Sequence, residues 1–170
     1  MRRKRKNSQC RSRDPEKKWK DFFLSFYGFV ILLAFGCRTP TTLPLVNFDE
    51  PGWKAQHGQA VWKPNASAPE IAGELTFAAG PNGRAVLEFT KTPFPIAVAQ
   101  MTPNQWQINF GPEQKNFSGL GHPPKRLGWL QLVLALQGQP VVSPWNFKTG
   151  EKWSLINSST GESIEGFLDH

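Results

Sequence analysis

Cysteine is nearly absent from this 170-residue chain; only Cys10 and Cys37 occur. Cys10 lies in a basic stretch and Cys37 follows an apolar run, so the two are not placed to pair and no thiolate metal site can form. The 134 residues from Cys37 onward must therefore fold on a hydrophobic core alone, and they are enough to bury one. Catalytic signatures are missing as well. There is no nucleophile elbow, phosphate loop, dinucleotide motif or metal-ligand spacing. The three histidines, His57, His122 and His170, stand far apart. Ser118 and His122 are close in sequence but have no acid partner and no strand–turn–helix setting. The expectation is a protein that is not an enzyme, with no catalytic residues, no metal and no cofactor.

A net excess of charge is missing from most of the chain. Residues 1–36 hold ten Lys/Arg against three Asp/Glu, an excess of seven that equals the net charge of the whole protein. Residues 37–170 hold ten of each and balance to zero. A neutral domain with scattered charge lacks the basic footprint that a phosphate backbone requires, so no nucleic-acid partner is expected.

What is present at the N-terminus is an export pattern. Residues 1–21 form a basic n-region, and Phe22 to Gly36 are fifteen residues without a charge. A bilayer core takes about 20 apolar residues to span, so fifteen fit a signal-peptide h-region better. Lys and Arg resist crossing the membrane, which keeps the N-terminus inside and sends the remainder out. Leu33-Ala34-Phe35-Gly36-Cys37 resembles a bacterial lipoprotein signal, with a small residue immediately before cysteine. The resemblance implies that the Cys37 thiol receives a diacylglyceryl group and becomes the new N-terminus. Ala34 and Gly36 also fit ordinary signal peptidase, and an uncleaved signal anchor is the third alternative. The implied organisation is a signal segment at 1–36, a lipidated Cys37 with a tether to residue 52, and a β-rich exported domain at 53–170. Residues 38–52 contain Pro40, Pro44 and Pro51 without amphipathic period, and read as a spacer with a short extended piece near Leu45 to Phe48.

Beyond the tether, short β-like runs alternate with turn residues. They cover Gln59 to Lys63, Ile71 to Ala78, Arg84 to Lys91, Ile96 to Met101, Gln105 to Phe110, Lys115 to Ser118, Trp153 to Asn157 and Ser163 to Leu168. Asn82-Gly83 predicts a hairpin turn. Trp106, Ile108 and Phe110 alternate with polar residues as a half-buried strand does. Pro123 to Gly138 is ambiguous. Leu130, Leu132, Leu134 and Leu136 would line one face of a strand, whereas Trp129, Leu132, Val133 and Leu136 fit a helical stripe. Composition, the prolines before and Gly138 after favour helix. The fold class expected is mainly β: a curved antiparallel sheet or half-barrel of roughly seven to nine strands, by the spacing of turn signals, with one apolar helix.

The segment Pro124 to Gly138, followed by a strand over Lys152 to Leu155, together with the signal, resembles the LolA/LolB superfamily of periplasmic lipoprotein carriers and receptors. That resemblance implies a half-closed antiparallel barrel whose helix covers an apolar cavity for acyl chains. The receptor member carries an exposed leucine on a protruding loop; the loops Pro64–Pro69 and Gly80–Gly83 here contain none. A helix apolar on nearly every side needs apolar partners on two sides, so Trp106, Ile108, Leu127, Trp129, Leu130 and Leu134 are the expected cavity residues. The partners expected are the membrane, through lipidated Cys37, and an apolar ligand or lipoprotein acyl chain. The location expected is the cell envelope, facing the periplasm, at the outer membrane in preference to the inner. The alternative is a structural or protein-interaction lipoprotein with a solid core and no ligand.

Overall fold

The computed structural model describes residues 42–44, 46, 48, 50–111 and 115–169, all within one unit, Pro40–His170. The signal segment 1–36 and Cys37 lie outside the described residues. Among the described residues no helix is long and apolar enough to cross a membrane.

Among the described residues, nine strands make a single antiparallel sheet. They are β1 (Lys54–Lys63), β2 (Ile71–Ala79), β3 (Ala85–Lys91), β4 (Phe94–Thr102), β5 (Gln105–Phe110), β6 (Lys115–Leu120), β7 (Trp145–Lys148), β8 (Trp153–Asn157) and β9 (Ser163–Leu168). Their order across the sheet is β6-β5-β4-β3-β2-β1-β9-β8-β7, with β6 and β7 at the edges. One helix, α1 (Gly128–Leu136), lies between β6 and β7 in the chain.

Local chemistry accounts for the boundaries. The β2–β3 turn needs left-handed backbone, and Asn82 and Gly83 supply it with φ of 59° and 73°. Pro123 and Pro124 belong to the lead-in, and α1 starts at Gly128. The helix stops where Gly138 turns to φ 74° and its N–H bonds back to the Ala135 carbonyl at 2.9 Å.

The sheet curls around α1. The helix contacts β3, β4 and β5 and also β7 and β8. In a flat sheet β5 and β8 would stand six strand spacings apart, about 29 Å. A nine-residue helix is only about 14 Å long and about 10–12 Å wide. Both sets of strands can reach it only if the sheet bends round it. The concave face supplies Leu75, Phe77, Leu87, Phe89, Ala97, Ala99, Ile108, Leu155 and Ile164 to a core shared with the helix.

One element goes beyond the sequence reading. β7 was not foreseen; it is four residues long, with Trp145 buried and Asn146 and Lys148 exposed. Described residues before β1 touch the convex face of the sheet. Leu43 donates its backbone N–H to Gln107 Oε1 at 2.8 Å, and Leu43, Pro44 and Val46 share a recess on the convex face with Trp53, Arg84 and Gln100.

Candidate functional site

The six residues expected to line a cavity do come together, and they do so in the core. Trp106, Ile108, Trp129, Leu130 and Leu134 are buried and Leu127 packs beside them half-buried. Trp129 is held by two rings. It stacks on Phe89 at 4.8 Å between centroids and meets Trp62 edge-on at 5.5 Å. Burial runs unbroken from Gly128 to Ala135, so every side of the helix is enclosed. The partners that an all-apolar helix needs are the two arms of the curled sheet.

The core also takes in polar atoms. Nε1 of Trp106, Trp129 and Trp153 and Oε1 of Gln131 are buried without a hydrogen-bond partner. Each such group costs about 1–3 kcal/mol relative to a satisfied one. Gln131 sits two positions after Trp129, about 200° round the helix, and so on the opposite flank.

The start of α1 is a polar junction. Trp62 donates its indole N–H to Glu162 Oε1 at 3.1 Å, and Trp145 donates its own to the Lys125 carbonyl. Gly128 fits between them. A methyl group there would lie 2.6 Å from Trp145 Cη2 and 3.0 Å from Glu162 Oε1. Burial raises the Glu162 carboxyl above its ordinary 4.5, with the Trp62 hydrogen bond pulling the other way.

An apolar recess of about 400 Å³ opens to the surface at the β3–β4 turn. Pro93, Phe94, Pro95, Ile96 and Gly111 line it, with Lys91 and Thr92 at the rim. Phe94, the first residue of β4, is 68% exposed between two prolines. The volume falls within the range of small-molecule sites, roughly 300–1,000 Å³. In the sequence, Pro93-Phe94-Pro95 marks only a corner between two strand-like runs. The available signal was a large aromatic at a turn, where burial by neighbours is least.

A second recess, about 600 Å³, lies on the convex face of β1, β2, β3 and β9. Gln59, Glu74, Thr90 and Glu165 give it a polar lining with Val61 and Phe167 among them. Its carboxylates do not suit an apolar ligand. Among the described residues no group of three or more His, Cys, Asp or Glu is placed to hold a metal.

No protein-family model matches this chain, and no curated protein matches it.

Proposed function

We propose that this chain is a lipoprotein of the cell envelope, anchored through Cys37 on the periplasmic side, at the outer membrane in preference to the inner. Its β-rich domain is related in design to the LolA/LolB carriers and receptors, and binds an acyl chain or another apolar ligand. The observation that carries the ligand is the Phe94 recess, an apolar opening on a domain whose other large side chains are mostly buried. An aromatic left 68% exposed forgoes much of the roughly 1.5–3 kcal/mol that burial would contribute, which an apolar ligand would restore. Where the receptor of the resembled family presents a leucine on a loop, the start of β4 here presents a phenylalanine. The sheet curled around one apolar helix supports the same kinship.

A fluorescent fatty acid titrated into the protein tests this reading. Phe94→Ser is expected to weaken binding about tenfold, the equivalent of about 1.4 kcal/mol. The thermal midpoint should hardly move, because the side chain is exposed. A wild-type protein that takes up no fatty acid would leave the second reading in place. That reading is a structural or protein-interaction lipoprotein with a solid core, and the complete enclosure of α1 favours it.

A further inference from the structure

The segment before β1 is tied to one place on the sheet. The row Ala78, Val86, Gln100 and Gln107 runs across the convex face as direct cross-strand partners of β2, β3, β4 and β5. On an open face these residues would be solvated, yet their exposures are 0%, 6%, 8% and 6%. Three sets of contacts hold the segment nearby. Leu43 N–H bonds to Gln107, Glu50 pairs with Arg84 at 3.3 Å, and Phe48 meets Trp53 edge-on at 5.7 Å. Arg84 in turn lies over the Trp53 ring at 5.3 Å. The described residues of this stretch therefore act as a strap that crosses from β1 to β5.

We infer that the strap holds the β5–β6 side of the domain against the lipid surface, with Leu120 as its apolar contact. The inference rests on the anchoring at Cys37 proposed above. Five residues separate Cys37 from Leu43. Six residue steps span at most about 20–22 Å, so a lipid on Cys37 keeps Gln107 within about that distance of the bilayer. A free fifteen-residue tether would allow more than twice this and any orientation. Leu120 pairs with Gln105, two residues along β5 from Gln107, and it is 69% exposed. Along the strands it lies about 7 Å from the level of Gln107. Phe94 stands about 20 Å along the strands in the other direction, beyond the Ala97–Phe110 pair. The arrangement sets Leu120 at the membrane and turns the Phe94 recess toward the aqueous side, where ligand would arrive.

Site-directed fluorescence on the full, processed protein tests this. Cys10 leaves with the signal and Cys37 is acylated, so Leu120→Cys, Phe94→Cys and Asn146→Cys each carry a single free thiol. Each is labelled with an environment-sensitive dye and reconstituted in phosphatidylethanolamine–phosphatidylglycerol vesicles that contain headgroup-quencher lipid. Quenching at position 120 should exceed that at 94 and 146 by at least about threefold. Gln107→Ala combined with Glu50→Ala should bring the three positions together while the protein stays on the vesicles. Equal quenching in the wild-type background, or strongest quenching at 94, would overturn the inference and leave the anchor intact. Protein that floats free of vesicles and carries no lipid would instead refute the anchoring on which it rests.

Discussion

Trp62 and Glu162 meet across 100 residues of sequence, the indole N–H donating to Oε1 at 3.1 Å. The bond ties β1 to the turn between β8 and β9 beside the first residue of α1. It sets a polar group where the apolar interior begins, and its acceptor is a carboxyl that burial holds above 4.5.

That shift has a sign. A folded-state pKa above the unfolded value means that the native state binds more protons. The contribution of Glu162 is then fully present below about 4.5 and is lost as pH rises through the raised folded value. Glu162→Gln keeps an oxygen acceptor for Trp62 and removes the titration. Thermal midpoints of the two proteins should coincide near pH 4 and diverge in favour of the glutamine variant toward pH 7. A gap that closes or reverses over that range would mean that the carboxylate is stabilised by its surroundings.

Gly128→Ala weighs two effects against each other. Alanine is a better helix former by up to about 1 kcal/mol. The added methyl would lie 2.6 Å from the ring of Trp145, a side chain that is itself buried and bonded to Lys125. Overpacking of this kind costs about 1–3 kcal/mol, so a net loss is expected. Urea denaturation should show a lower midpoint with an unchanged slope. A midpoint at or above wild type would show that Trp145 can yield.

Trp129→Ala removes a buried indole that is stacked on Phe89 and edge-on to Trp62. The expected cost is about 3–5 kcal/mol by the usual range for such truncations. Phe94→Ser, by contrast, should stay within about 0.5 kcal/mol, as exposed substitutions do. Comparable losses at both sites in denaturant titrations would contradict the division into a filled interior and a surface recess. Leu130→Asp belongs with the first class; a carboxylate there enters a fully buried site and should unfold the domain.

Much of the sheet was legible because its turns announce themselves. Asn82-Gly83 marked the β2–β3 turn, and the alternation of Trp106, Ile108 and Phe110 marked β5. The polar alternate Gln107 suggested an open second face, and here the sequence misled. Gln107 is covered and bonded to Leu43, 64 residues earlier. Nothing local to either residue encodes that meeting. The first half of β1, Lys54 to Gly58, is polar and carries no strand period; pairing with β2 makes it a strand. β7 was overlooked for its brevity, although Trp145 and Phe147 alternate with Asn146 and Lys148. Both periods fit Trp129 to Leu136, and its composition with Gly138 after it favours the helix that is found. Strands from both arms of the sheet pack on it. The cavity residues were recognised as a group for the same reason that places them in the core: they are the largest apolar side chains on facing elements. The exposed Phe94 was hidden by its prolines, which spelled only a turn.

Native mass spectrometry of the protein extracted from bacterial membranes tests the lipid anchor and the apolar ligand at once. The species expected begins at Cys37, carries a covalent diacylglyceryl group, and holds a further lipid that dissociates on collisional activation. Cys37→Ser should abolish the covalent mass and retain the N-terminal segment. A chain that still carries Arg2 to Lys20 without any acyl mass, or a processed chain that holds no dissociable lipid, would contradict this reading.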